Sequence, residues 1–229
     1  MWRHRVGIAL SSAVIVSAAQ LFAPTSADAQ AWVPQQGDGA VSFLYQNQFV
    51  DQHTLDDGTR INRGATRTHI MAVDLTYGLT SRVALNVTLP YIASKYNGLN
   101  PHTAAQFGQT SVIDFGGYHA TTQDFRIDFR YSAIKGATVV TPYFTGIIPS
   151  RSYDFFGHAA AGRRVGELQI GAYLGRMLDP VLPGGFVQAR YGYGFAHRLV
   201  GVRHDRSVLD AEMGYFLRPT VRIFGSSPF

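Results

Sequence analysis

The chain has 229 residues and a formal net charge of +5, and because it contains no cysteine, disulfides, thiolate metal sites, Cys nucleophiles and lipid attachment at Cys are excluded. Charged residues make up 15% of the chain, whereas aromatic residues make up 13% and glycines number 24, a composition that favours short strands and tight turns over helices. The basic residues form no basic helix and no recognition motif, so binding to nucleic acid is not predicted.

The first 29 residues have the organisation of a secretory signal peptide. Arg3 and Arg5 give a basic start, and residues 6–19 form an apolar run that is too short to cross a bilayer as a stable helix. Ala27 and Ala29 supply the small-x-small pattern that a signal peptidase accepts. We therefore predict a signal peptide over residues 1–29, cleavage before Gln30, and one exported domain over residues 30–229.

Alternation of apolar and polar residues is the strongest structural signal in the exported part. Over residues 124–133, Phe125, Ile127 and Phe129 fall on one face, while acidic and arginine side chains fall on the other. A helix would mix these two sets. The same period recurs over residues 71–77, 83–91, 167–174, 187–195 and 209–217, and more weakly over 41–49, 137–148 and 220–225. The pattern predicts about nine strands of the length that tilted membrane strands need.

The connections between these strands supply a second signal. Short turns with Gly or Pro at 78–82, 135–136, 179–185 and 218–219 alternate with long polar connections at 51–67, 97–123, 149–164 and 198–207. This alternation is typical of outer-membrane barrels with periplasmic turns and extracellular loops. We predict an all-β, antiparallel, up-and-down transmembrane β-barrel in the bacterial outer membrane, with its N-terminus in the periplasm. A soluble β-sandwich is the alternative, because it also produces alternating strands.

The predicted number of strands bears on whether the sequence contains all strands of the predicted barrel. Nine is odd, whereas bacterial single-chain barrels normally have an even number of strands. The segment 226–228 looks like a poor final strand, because Pro228 lacks a ladder donor. We expect the native protein to continue beyond Phe229, to about twelve strands by the even-number rule.

Several segments resemble the uncharacterised outer-membrane β-barrel proteins of the meta-pathway phenol-degradation and transporter type. The resembling segments are YGLTSRVAL at 77–85 followed by LPY at 89–91, FFGHA at 155–159, LDPVLP at 178–183 and QARY at 188–191. The resemblance implies a barrel and a role in moving small molecules, aromatic ones among them. It supplies no catalytic or binding residues that carry over to this chain.

If the apolar strand faces meet lipid, the opposite faces line a lumen. The charged residues on those faces are Asp74, Asp124, Arg126, Asp128, Arg130, Glu167, Arg190, Asp210 and Glu212, with Arg222 on the last strand. Charges in a confined lumen must be paired or solvated. They form either a pathway that selects solutes by charge and size or a salt-bridge network that fills a narrow barrel. The favoured function is passage of small solutes across the outer membrane, with no cofactor and no metal.

Two other functions stay open on the sequence. A lipid-modifying outer-membrane hydrolase would use His204 with Asp205 and Ser207, or His158 with Asp154, although no motif fixes their geometry. A structural or adhesive barrel would bind partners through its long loops. The histidines lack a spaced metal-binding motif, so no metal site is predicted.

Arginine dominates the predicted outer loops. The loop arginines are Arg60, Arg63, Arg67, Arg151, Arg163, Arg164, Arg203 and Arg206. Guanidinium groups bind phosphate through two hydrogen bonds, so contact with phosphorylated outer-leaflet lipid is a hypothesis beside ordinary solvated charge. Interfacial aromatic girdles are expected from Trp32, Tyr45, Tyr77, Tyr91, Tyr143 and Tyr191. The expected partners are therefore membrane lipid and small solutes, and the oligomeric state stays open.

Overall fold

A computed structural model describes residues 16–17, 30–54, 57–62, 64–98, 113–199, 201–218 and 221–228. The predicted signal peptide lies outside the described residues, except for the two-residue strand at Val16–Ser17. Strands are the only regular elements in the described ranges. No helix there is long and apolar enough to cross a membrane.

The chain folds into one large antiparallel sheet. The strands are β1 (Val16–Ser17), β2 (Gly39–Val50), β3 (His53–Thr54), β4 (Arg60–Ile61), β5 (Gly64–Gly78), β6 (Val83–Gly98), β7 (His119–Thr122), β8 (Phe125–Tyr131), β9 (Thr138–Ile148), β10 (Glu167–Met177), β11 (Gly185–Ala196), β12 (Arg206–Arg218) and β13 (Val221–Pro228). Nine of them pair in the order β2-β5-β6-β8-β9-β10-β11-β12-β13 and curl into a half-barrel. β1 pairs with β2, β7 pairs with β6, and β3 and β4 form a separate hairpin. The predicted antiparallel meander of about nine strands is confirmed.

Short and long connections alternate, as the sequence predicts. Residues 79–82, 132–137, 178–184 and 219–220 connect strands at one end of the sheet, which we name the turn end. Residues 51–63, 99–118, 149–166 and 197–205 connect them at the other, which we name the loop end. The described residues form one curled sheet and a small hairpin, so they do not form the two facing sheets of the alternative β-sandwich.

Strand boundaries at the loop end differ from the prediction. β5 begins at Gly64 and β6 continues to Gly98, so parts of both predicted loops are strand. The added residues are polar but suit a strand, since Thr68 faces Ser94 and their hydroxyl groups lie 2.8 Å apart. His119 likewise lies in β7 and not in a loop.

The predicted strand at 124–133 begins one residue late, because the strand beside β6 is interrupted at residues 123–124. Pro90 of β6 faces this interruption and has no N–H to donate to a neighbouring strand. Its carbonyl oxygen accepts a hydrogen bond from the Gln123 backbone N–H at 3.0 Å. Asp124 therefore lies in the link between β7 and β8.

The prediction that residues 226–228 make a poor strand is wrong. β13 runs to Pro228, which lies opposite Asp210 of β12. Pro228 is the last residue of a strand at the edge of the described sheet, a position where a missing N–H is tolerated.

The two faces of the sheet differ sharply in polarity. Leu174 and Met213 on the convex face are 56% and 64% exposed, whereas Gln169 on the concave face is 2% exposed. The apolar cluster on the concave side is small and comprises Ala31, Val139, Tyr143 and Tyr173, with Trp32 packed against it. The fold thus inverts the usual arrangement, with polar side chains inside and apolar side chains outside.

Candidate functional site on the concave face

The row of charges on β8 is paired with its neighbours. Asp128 is 4% exposed, and Nη2 of Arg126 lies 3.3 Å from its Oδ1 atom. The Thr145 hydroxyl of β9 donates a hydrogen bond to the same carboxylate and also lies 3.3 Å from Arg126 Nη2. These partners offset the cost of burying the charge. Three polar side chains on two strands therefore form one connected unit.

Glu167 forms a second unit at the loop end of β10. Its side chain is inaccessible to solvent, and Oε2 accepts a hydrogen bond from Arg163 at 2.8 Å. Oε1 accepts from Gln169 at 2.6 Å and from Arg206 at 3.1 Å. Two arginines surround one carboxylate, so this position carries excess positive charge.

Arg190 of β11 lies between aromatic rings and a carboxylate. Its Nη2 atom is 2.5 Å from Oδ2 of Asp210, and its guanidinium carbon lies 5.9 Å and 6.0 Å from the ring centres of Tyr143 and Tyr173. Tyr143 reaches across to Gly192, where the Cβ of any other residue would overlap its hydroxyl group. The predicted outward position of Tyr143 is therefore wrong: glycine in β11, two strands away, leaves room for its side chain on the concave face.

The remaining predicted residues lie along the same surface. Asp74 of β5 accepts a hydrogen bond from the Thr88 hydroxyl, and Glu212 of β12 faces Gln188 of β11. Asp124, between β7 and β8, accepts from the Tyr153 hydroxyl at 2.6 Å. The concave face thus brings the predicted charges together as separate pairs and small networks. The side chain of Arg222 lies outside the described set.

Residues 30–35, which we name the strap, cross the concave face at the turn end. The carbonyl oxygen of Gln30 accepts a hydrogen bond from Arg130 Nη1 at 2.8 Å. Ala31 donates its N–H to Gln188 Oε1 at 2.8 Å and accepts from the Thr141 hydroxyl at 2.6 Å. The strap narrows the concave space, and no periodic pattern in the sequence signals it.

The strap is also held by packing. Trp32 meets the ring of Phe186 edge-on, with ring centres 6.3 Å apart, and a Cβ at Gly175 would collide with it. Further along, the strap passes so close to Gly78 that a Cβ there would overlap the Gln35 backbone. The predicted interfacial position of Trp32 is wrong, because its ring packs inside the curl of the sheet.

Loop 149–166 packs back onto the described chain at the loop end. Burial raises the pKa of Tyr153 above its ordinary value, and its hydrogen bond to Asp124 raises this pKa further. The Tyr153 hydroxyl oxygen also accepts the backbone N–H of Arg164, whose φ of 50° is unusual for a residue other than glycine. These contacts fix the path of the loop.

His158 meets a carboxylate that sequence reasoning did not consider. Its Nδ1 atom lies 2.9 Å from Asp114 Oδ2, and Tyr96 stacks on its ring with 4.2 Å between ring centres. Asp114 also accepts the backbone N–H groups of His158 and Ala159. The pair lies far apart in sequence, and no local spacing could have indicated it.

The described contacts do not support the second histidine hypothesis, which combines His204 with Asp205 and Ser207. Asp205 accepts the backbone N–H of Ala196 at 2.9 Å and lies 3.7 Å from Arg203. Within the described ranges, no group of three or more His, Asp and Glu side chains is arranged to hold a metal ion. The chain matches no protein-family model, no curated protein and no solved structure.

Proposed function

We propose that the chain forms the wall of a transmembrane β-barrel in the outer membrane of a Gram-negative bacterium, and that its lumen passes small solutes down their concentration gradient. The observation that carries this proposal is the distribution of charge over the two faces. The described side chains on the convex face are mainly apolar, while carboxylates and most guanidinium groups lie on the concave face or in the connections.

The few charged side chains on the convex face lie near its borders. Among the described strand residues these are Arg67 and Lys95 near the loop end and Arg176 near the turn end. An Arg or Lys on the outside of a barrel costs about 2–4 kcal/mol at mid-bilayer but about 0–1 kcal/mol near the interfaces. An uncharged band between charged borders is the surface that lipid favours.

The polar lumen supports passage of small solutes. The paired charges of β8, β10 and β11 give its wall alternating positive and negative positions, and the strap limits its width. Arg190 is held between Asp210 and the buried rings of Tyr143 and Tyr173, so its positive charge has a fixed position in this wall. This proposal agrees with the small-molecule role that the family resemblance implies, and needs no cofactor.

Conductance in a planar lipid bilayer tests the proposal. We expect discrete current steps, and we expect Arg126→Gln to shift ion selectivity towards cations because it removes a positive charge from the lumen wall. Arg176→Gln removes the same charge from the convex face and is the matched control. A folded, inserted protein without current steps, or equal shifts in the two variants, would contradict passage through the concave side.

A lipid-modifying hydrolase is a second candidate, favoured by the Asp114–His158 pair. A carboxylate bonded to Nδ1 is the arrangement that orients a histidine for proton transfer. Hydrolysis of a phospholipid ester, measured by fatty-acid release, would be lost in His158→Asn and retained in His204→Asn. Activity retained in both variants, or absent from the unaltered protein, would exclude this candidate.

A further inference from the structure

A cavity of about 830 Å³ opens at the loop end of β9, β10 and β11. Its rim is formed by loop residues 149, 164–166, 197–199, 203 and 205, and the strand ends form its floor. We name it the rim pocket. Its position combines two surfaces of opposite character, the apolar convex face and an arginine-rich loop edge.

The floor is a groove in the apolar face. Leu168 faces Gly146 on one side and Phe195 on the other, and Ile148 follows on the same face of β9. Leu168, Phe195 and Ile148 are all exposed. Gly146 has no side chain, and a Cβ built there meets nothing within 4 Å. The missing side chain leaves a channel of apolar walls that suits a hydrocarbon chain.

The rim carries positive charge. Arg164, Arg198 and Arg203 line it together with His197, and the facing carboxylates are Asp205 and Glu167. Asp205 lies 3.7 Å from Arg203, while Arg163 and Arg206 bond both oxygens of Glu167. Because Glu167 is already bonded by Arg163 and Arg206, the three arginines that line the pocket face one further carboxylate, Asp205, and two positive charges remain for an anion from outside.

Arg164 is held in place before any ligand arrives. Its guanidinium lies 4.7 Å from the ring centre of Phe155, and its Nη1 atom donates to the Ser152 hydroxyl at 3.0 Å. Its backbone N–H is bonded to Tyr153. A fixed guanidinium loses less entropy when it binds an anion, so this rim is preorganised.

We propose that the rim pocket binds a phosphorylated lipid, with the phosphate on Arg164, Arg198 and Arg203 and an acyl chain in the Gly146 groove. Guanidinium groups bind phosphate through paired, charge-assisted hydrogen bonds, and the apolar floor recognises the chain. The inference rests on the proposed function, since the loop end must face the headgroups of the outer leaflet. Neither surface alone would select a ligand that carries both groups.

Lipid binding to the refolded full chain in an uncharged detergent tests this inference, by native mass spectrometry. The probe is dioleoyl phosphatidic acid, which has a phosphomonoester and two acyl chains. Dioleoyl phosphatidylcholine has the same chains without net charge, and glycerol 3-phosphate has the headgroup without chains. We expect binding of the phosphatidic acid alone at micromolar concentration. Equal binding of the phosphatidylcholine, or displacement by glycerol 3-phosphate at the same concentration, would overturn the inference.

Variants locate the site. We expect Arg198→Gln with Arg203→Gln to weaken binding of the phosphatidic acid about tenfold or more, because two charge-assisted contacts are lost. Arg60→Gln with Arg176→Gln removes the same charge from exposed positions elsewhere and should change the Kd less than about twofold. Equal effects of the two double variants would show a nonspecific charge effect and would overturn the assignment of the phosphate to the rim pocket.

Gly146→Leu tests the groove by filling it. We expect this variant to fold normally, because nothing lies within 4 Å of the new Cβ, and to lose binding of the phosphatidic acid. Unchanged binding would overturn the assignment of the acyl chain. A nitroxide label at Phe43, on the convex face of β2, reports lipid exposure of the barrel separately. Lipid exposure there without a preference for phosphatidic acid overturns this inference alone, whereas a water-exposed label overturns both proposals.

Discussion

Arg130 of β8 donates a hydrogen bond to the carbonyl oxygen of Gln30 at 2.8 Å, although 100 residues separate them in the chain. The contact ties the strap to the concave face at the turn end of the sheet. A charged residue that sequence reasoning assigned to solute selection therefore also positions a segment of backbone.

Arg130→Gln should loosen the strap. The carbonyl group of Gln30 loses its donor, and a hydrogen bond of this kind contributes about 0.5–1.5 kcal/mol. Trp32 reports the effect in a Trp2→Phe background, where it is the one remaining tryptophan. We expect acrylamide to quench Trp32 fluorescence more strongly in the variant, and Arg126→Gln to leave quenching unchanged. Equal quenching in Arg130→Gln and the parent would contradict the role of the strap contact.

Thr145→Val should destabilise the sheet through Asp128. The buried carboxylate loses a hydroxyl donor while the shape of the side chain is retained, so we expect a loss of about 1–3 kcal/mol in the free energy of unfolding. Thr138→Val, at an exposed position of the same strand, is the matched control and should change stability by less than about 0.5 kcal/mol. Urea unfolding in detergent measures both, and equal losses would refute the Asp128 network.

Gly192→Ala should be costly and Gly146→Ala should not. An alanine Cβ at Gly192 overlaps the hydroxyl group of Tyr143, whereas one at Gly146 meets nothing within 4 Å. Overpacking of this kind costs about 1–3 kcal/mol, and alanine in open space is close to neutral. The same unfolding assay compares the two variants. Similar stabilities would show that Tyr143 does not lie across β11.

Tyr153 should give loop 149–166 a dependence on alkaline pH. Its folded-state pKa is raised, so its contribution is fully present below the ordinary value of 10.0 and is lost as pH rises through the folded pKa. We expect the stability difference between the parent and Tyr153→Phe to be constant from neutral pH to about pH 9 and to shrink at higher pH. A difference that already disappears near neutral pH would contradict the buried hydrogen bond to Asp124.

Alternation was enough to predict the sheet, because each strand carries mainly polar side chains on the concave face and mainly apolar side chains on the convex face. Local alternation alone assigns Phe125, Ile127 and Phe129 to the convex face, without knowledge of the neighbouring strands. The direction of the Tyr143 side chain could not be predicted in this way, since it depends on glycine in a strand about fifty residues later. The strap escaped prediction for the same reason: its partners Thr141 and Gln188 come from distant strands.

The candidate site could likewise be predicted only in part. The charged residues could be assigned to one face from local spacing, but their pairing depends on the register between strands. Arg190 meets Asp210 because β11 and β12 pair at those positions, and Glu167 meets Arg206 across the loop end. The Asp114–His158 pair joins two loops, where neither periodicity nor motif gives any signal.

Nitroxide labels at Phe43→Cys and Ser42→Cys, compared in lipid vesicles, test whether the convex face of the sheet meets lipid. The chain has no cysteine of its own, and these neighbours in β2 point to the convex and concave faces. The membrane-barrel account predicts that the label at Phe43 is accessible to oxygen and shielded from a water-soluble nickel chelate, with the reverse at Ser42. Equal access of the nickel chelate to both labels would contradict a lipid-facing convex surface.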